Sequence, residues 1–194
     1  EGFTGVHVLT YAVMTNHIHL LLEEPERDAV QSITDDELIH RMKCLYSEGE
    51  MDEIQLRWAE WKLMGLVELI KEDKGRYLAR MHDISEFMKQ VKQRFSCWYN
   101  VKNGRCGTLW DRRFKSVLVE DGLALRTMAA YIEMNPVRAG VVDDPKEYRF
   151  CGLGEAMGGS HVARQGIMTL ASGVERLDDE VRAKDKMGVW GEAS

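Results

Sequence analysis

Tyr11-Ala12-Val13-Met14-Thr15-Asn16-His17-Ile18-His19-Leu20-Leu21-Leu22 is the stretch from which the fold is read. β-branched and apolar residues dominate it, and the acidic, proline-containing break Glu23-Glu24-Pro25 closes it, so a β-strand is expected. Side chains alternate faces along a strand, which puts His17 and His19 on one face and Ile18 and Leu20 on the other. Two imidazoles one strand pitch apart can hold a single divalent ion. They can equally be unrelated, one hydrogen-bonded at a strand end and one exposed. A second stretch, more than a hundred residues later, bears on that choice.

The surrounding chain has 194 residues, enough for one domain of ordinary size or one domain carrying an insertion, and enough to bury a core without staples. Hydrophobic content of 44% and charged content of 30% fit a water-soluble globular protein. No run of about 18 apolar residues is present, so neither a transmembrane helix nor a membrane partner is expected. The opening Glu1-Gly2-Phe3-Thr4 does not read as a signal peptide. It lacks Met and leads almost directly into the His stretch, so further residues are expected upstream. Cys44, Cys97, Cys106 and Cys151 are widely scattered with no Cys-x-x-Cys pair, which suits free thiols in a reducing cytoplasm.

The net charge of −6 argues superficially against a nucleic-acid partner, but its distribution points the other way. Residues 23–80 carry 15 Asp and Glu against 9 Lys and Arg. Residues 84–119 reverse the balance, with 2 acids (Glu86 and Asp111) against 8 bases. A basic stripe within an acidic chain is a better footprint of phosphate contact than total charge; it is also what a solvated basic face looks like.

Thr34-Asp35-Asp36-Glu37 reads as a capping box opening a short helix through about Tyr46, which Ser47-Glu48-Gly49-Glu50 breaks. A longer helix is expected from about Asp52 to Lys71, with too many apolar positions for one narrow stripe, and Trp58 and Trp61 as packing residues. Asp83 and Glu86 cap the next helix, on which Ile84, Phe87, Met88, Val91, Phe95 and Trp98 form a core-facing side. Lys89, Lys92 and Arg94 lie off that side. Residues 107–119 are expected to run from a loop into a second strand. A helix from about Leu123 to Met134 follows, with Leu125, Met128, Ala129 and Ile132 as its stripe and Tyr131 at the stripe's edge. Asn135-Pro136 is expected to end it, because the residue before proline resists helical geometry. Residues 151–194 are expected to hold one or two loose helices.

Tyr131 and Asn135 are four apart and therefore neighbours on a helix face. A tyrosine hydroxyl, with an ordinary pKa of about 10, is a poor nucleophile unless activated. Bound metal can polarise a scissile phosphate and stabilise the developing charge, and an asparagine carbonyl can complete a coordination shell begun by two imidazoles. Such a set could produce a tyrosyl–phosphate bond that conserves the energy of the broken strand. Taken singly, Tyr131 reads as an edge-of-core tyrosine and Asn135 as a helix-end residue before proline.

Taken together, the motifs resemble a known family, the HUH single-tyrosine transposases, especially the REP-associated tyrosine transposases of bacterial genomes. Met14-Thr15-Asn16-His17-Ile18-His19 resembles the family's Met-Pro-Asn-His-hydrophobic-His segment. Leu109-Trp110-Asp111-Arg112-Arg113-Phe114 resembles its Leu-Trp-x-x-Arg-Phe segment, and Tyr131-Ile132-Glu133-Met134-Asn135-Pro136-Val137-Arg138-Ala139-Gly140 its Tyr-Ile-x-x-Asn-Pro-Val-Arg-Ala-Gly helix end. The order and approximate spacing match over about 11–22 and 82–152.

The resemblance implies an α+β fold: a ferredoxin-like antiparallel sheet with helices packed on one face, plus a helical insertion. It divides the chain into a catalytic domain at 1–152, with an acidic helical insertion at 26–80, and a C-terminal tail at 153–194. It implies Mg²⁺ or Mn²⁺ held by His17, His19 and Asn135, where imidazoles alone would favour zinc-like ions. It implies Tyr131 as the nucleophile on single-stranded or hairpin DNA, leaving a 5′-phosphotyrosine and a free 3′-hydroxyl, as in DNA transposition. Lys89, Lys92, Arg112, Arg113, Lys115 and Arg138 are the DNA-contact candidates, mainly to phosphate. A homodimer is left open, since family members commonly dimerise and REP-associated members can be monomeric.

Two departures stand out. Thr15 replaces the family's usual proline, which alters strand-entry rigidity. The family's strand and helix before the His segment have no counterpart here, and a lost strand would expose a sheet edge. The alternative reading is therefore a domesticated, catalytically inactive DNA-hairpin-binding protein. A metallohydrolase using His17 and His19 on a different substrate would need an acidic ligand or base that these motifs do not supply.

Overall fold

The computed structural model describes residues 1–25, 27–120 and 122–172. The architecture is α+β, with an antiparallel two-stranded sheet among many helices. It divides into two compact units, one of residues 1–7 and 24–115, the other of residues 8–23 and 116–194. The part of the tail at 173–194 lies outside the described residues.

The first unit is helical. It comprises α1 (Asp35–Lys43), α2 (Glu48–Leu63), α3 (Val67–Leu78) and α4 (Ile84–Lys102). Thr34 caps α1 by accepting from the Glu37 amide at 3.3 Å, and Asp83 caps α4 by accepting from the Glu86 amide at 2.9 Å, as expected. Ser47 and Glu50 form a reciprocal capping box, so the expected breaker is also the start signal of α2. The single helix expected at 52–71 is two helices. Gly65, at φ +72°, takes the left-handed conformation that only glycine adopts cheaply, and α3 begins two residues later. The apolar surplus over 54–70 thus serves two helices instead of one. Phe3, Leu38, Met42, Met51, Ile54, Trp58 and Met81 form the core, with Trp61 packed against it. Within it, Asp73 accepts from Trp58 Nε1 and Arg57 Nη2, each at 2.8 Å.

The face expected on α4 is only half buried. Phe87 and Met88 are enclosed, but Phe95 is 44% and Trp98 55% exposed. The strand expected within 107–119 does not form. Residues 108–119 adopt no regular structure, and 111–118 are exposed on both sides of the alternation. An extended segment without a hydrogen-bonded neighbour lacks the ladder that defines a strand.

The second unit is built on a hairpin. The stretch expected as one strand is the end of β1 (His7–Val13), a turn, and β2 (Ile18–Glu23). Met14 N donates to His17 O at 2.8 Å, placing Thr15-Asn16 at the turn. Asn is among the residues that tolerate turn backbone best. The end of β1 is covered on its outer edge, where Val13 N donates to Phe150 O at 2.9 Å and Ala12 bridges antiparallel to Cys151.

Helix α5 (Leu123–Glu133) packs on β2. Helix α5 ends before Asn135-Pro136 as expected, with Met134 as its C-cap, and a separate short helix, α6 (Asn135–Arg138), follows directly. Proline is tolerated in a helix's first turn, where its missing N–H has no partner to lose. Leu9, Ala12, Leu21, Ile132 and Cys151 form the core. The segment expected to be loose is partly integral: α7 (Gly152–Met157) buries Gly152, Gly154 and Ala156, and Leu153 and Leu170 pack on that core.

Candidate active site

The chemistry-bearing side chains of the second unit gather where β2 meets α5. His17 closes the hairpin turn and is exposed; its Nδ1 lies 2.7 Å from Asn16 Oδ1. An amide oxygen accepts, so Nδ1 is the donor in that contact, and in the neutral ring Nε2 would keep the lone pair that a ligand uses. His19 is half-buried, on the same strand face as core residue Leu21. The two imidazoles stand 4.8 Å apart, ring centre to ring centre, at 86°. Partial burial, and secondly the neighbouring His17, hold His19 below the usual imidazole pKa and favour its neutral, ligand-competent form.

The Tyr131 ring sits 5.8 Å from the His19 ring at 78°, and Tyr131 is 41% exposed. The Arg138 guanidinium carbon lies 5.0 Å from the centre of the Tyr131 ring. Asn135 Nδ2 donates to Tyr131 O at 2.8 Å, so its amide nitrogen is engaged and its oxygen is the group that could serve a ligand. His17, His19, Tyr131 and Arg138 therefore form one run of neighbouring rings and charge, with Asn135 one helical turn from the tyrosine.

Side chains on the hidden side of α5 hold that run in place. Ile132 is in the core, and the buried Glu133 accepts from the Thr10 hydroxyl of β1 and from Leu153 N at 3.0 Å. Tyr11 donates to Glu155 beside it, and burial, reinforced by that carboxylate, raises the Tyr11 hydroxyl well above its ordinary pKa. Burial likewise pushes the Cys151 thiol up to about 11. Sequence reasoning missed Glu133 and Thr10. A signal existed: Glu133 follows the core residue Ile132, within the apolar side of its helix, where an acid needs a partner.

Two imidazoles 4.8 Å apart, with His19 favoured neutral, suit a divalent ion as partial ligands. The Asn135 amide, at the start of α6 and one turn beyond Tyr131, is a further candidate ligand. Among the described residues, no group of three His, Cys, Asp or Glu side chains is disposed to hold a metal.

The other DNA-contact candidates belong to the first unit. Lys92 Nζ donates to Arg112 O at 2.8 Å and lies 5.3 Å from the Trp110 ring, so it ties α4 to the 110–112 segment. Lys89 is 3.2 Å from Glu86, and Arg112 is 3.3 Å from Asp111. Arg113 and Lys115 are exposed.

Comparison with known proteins finds no match among family models, curated proteins or solved structures. None of the described helices is long and apolar enough to cross a membrane.

Proposed function

We propose that this chain cleaves and rejoins single-stranded or hairpin DNA through a tyrosyl–phosphate intermediate, as a metal-dependent single-tyrosine transposase. The observation that carries the reading is the 5.8 Å approach of the Tyr131 and His19 rings, brought together across 112 positions of sequence and flanked by His17 and Arg138. The Tyr131 oxygen attacks the scissile phosphorus, and the 3′-oxygen of the upstream nucleotide leaves. The downstream strand then carries a 5′-phosphotyrosine, and the upstream strand a free 3′-hydroxyl. The phenol proton departs to solvent, to which the residue is open. Arg138 faces the charge of the phosphate drawn to that ring. Mg²⁺ or Mn²⁺ on His17 and His19, with Asn135, would neutralise the phosphoryl oxygens. Rejoining is the reverse attack by a 3′-hydroxyl.

On this reading, the β1–β2 hairpin with α5 across it is the core of a ferredoxin-like sheet, and residues 26–80 are a helical insertion into a catalytic domain. DNA is the partner, and the cytoplasm is the compartment.

The test is incubation with end-labelled hairpin-flanked single strands and Mn²⁺, resolved on a denaturing gel. A covalent protein–DNA band is expected from the wild type and none from Tyr131→Phe. Binding by both proteins with no adduct, across a pool of strand sequences, would replace this reading with that of a hairpin-binding protein that does not cut.

A further inference from the structure

The second half of α4 carries an exposed group of aromatic rings interleaved with cations, which the Tyr131 chemistry does not use. Phe95 lies 5.7 Å from Trp98, 5.9 Å from Tyr99 and 5.7 Å from Trp110, ring centre to ring centre. Lys102 Nζ stands 5.0 Å from the Trp98 ring, and the Arg105 guanidinium carbon 5.9 Å from the Tyr99 ring. Phe95 is 44% and Trp98 55% exposed, although the first turns of the same helix are enclosed. Large rings are ordinarily the residues a fold buries first, since each removes about 150–250 Å² from water. Here they cover one another only in part and leave ring surface open.

Charge selects the occupant. This region, 84–119, is the basic part of an acidic chain, so its partner is an anion that also presents flat apolar faces. Unpaired nucleobases on a phosphodiester backbone meet both requirements, because bases stack on aromatic rings without regard to sequence while cations meet the phosphates. Bases within a duplex are already stacked and offer no such face.

We propose that Phe95, Trp98, Tyr99 and Trp110, with Lys102 and Arg105, form a stacking platform for unpaired bases of single-stranded nucleic acid. The proposal does not use Tyr131 and does not depend on strand cleavage. The test is titration of the full chain with fluorescently labelled oligo(dT), oligo(U) and a duplex, with tryptophan emission read in parallel. The single strands should quench tryptophan emission, and the duplex should bind more weakly. Trp98→Ala should weaken single-strand binding about tenfold, within the range that removing one stacked base costs. Trp98→Phe should restore part of it, and Gln55→Ala, on the exposed side of α2, should leave it unchanged. Trp98 lies outside the buried core, and circular dichroism verifies that its variants are folded. Equal affinity of the wild type and Trp98→Ala would overturn the proposal, as would duplex binding as tight as that of the single strands. Sedimentation showing a dimer that Trp98→Ala dissociates would also overturn it, by assigning the rings to a self-contact. Failure of the cleavage assay with these binding results unchanged would overturn only the strand-cleavage reading.

Discussion

Two buried carboxylates show how a single residue holds elements together within each unit. Glu133 satisfies the Thr10 hydroxyl and Leu153 N in the second unit, directly behind Tyr131. Glu133→Ala would strand both donors in a buried setting, a cost of about 1–3 kcal/mol. The expected outcome is a lower urea midpoint for the variant, and an unchanged midpoint would contradict the arrangement. Asp73 in the first unit gives a pH-dependent case. Burial is the largest influence on it and acts to raise its pKa, but hydrogen bonds from Arg57 and Trp58, with the charges of Arg57 and Arg76, together outweigh burial and hold the carboxyl below its ordinary value. A carboxyl depressed by folding contributes stability that is present above the unfolded pKa of about 4 and is lost as pH falls through the folded value. Thermal melts between pH 6 and pH 3 should therefore fall more steeply for the wild type than for Asp73→Asn. Parallel curves would rule Asp73 out as a source of acid sensitivity. The sequence marks His17 and His19 by their spacing, and Tyr131 and Asn135 through the motifs that carry the family resemblance. Glu133 escapes that reading because a carboxylate's burial is set by partners far along the chain.

Elements defined by local chemistry were legible, and those defined by a neighbour were not. The starts of α1 and α4 follow from Thr34 and Asp83, whose side chains satisfy amides within one turn. The division of 52–71 into α2 and α3 turns on Gly65 at φ +72°, which a pattern of apolar residues does not reveal. Nothing lies within 4 Å of a methyl group built on Gly65, so Gly65→Ala probes backbone conformation alone. It should destabilise the first unit by about 1–2 kcal/mol, the cost of placing an L side chain in the left-handed region. Differential scanning calorimetry would register this as a lowered transition, and no shift would mean that the turn relaxes at no cost. The missing strand at 114–119 has the opposite lesson. Its alternation, Phe114, Ser116 and Leu118 against Lys115, Val117 and Val119, is strand-like, but alternation does not supply a partner. The hairpin turn escapes the apolar pattern for a related reason. Met14-Thr15-Asn16-His17 is short enough to sit inside an apolar run, and its reversal is visible mainly in the Met14–His17 backbone contact.

For the whole molecule, the charge division of the chain has a measurable consequence. The basic stripe belongs to the first unit, where Arg113 and Lys115 are exposed while Lys92 is engaged by Arg112 O. If Arg113 meets a phosphate, single-strand affinity should fall with salt, and Arg113→Gln should reduce the log–log slope by about 0.7, the contribution of one phosphate. An identical slope would remove Arg113 from the contact set. What the sequence by itself determined was local. It set the cap residues, the apolar phase of α5, the acidic and basic halves, and the spacing that puts Tyr131 one turn from Asn135. It also marked the His17–His19 pair, because two residues apart is a distance that short-range geometry controls. Only the tertiary structure decided that His19 meets Tyr131, that Arg138 stands over that ring, and that Phe95 and Trp98 remain open to solvent. The physical reason is that caps and periodicities are satisfied within a few residues, whereas burial and ring contact depend on which distant segments fill the same space.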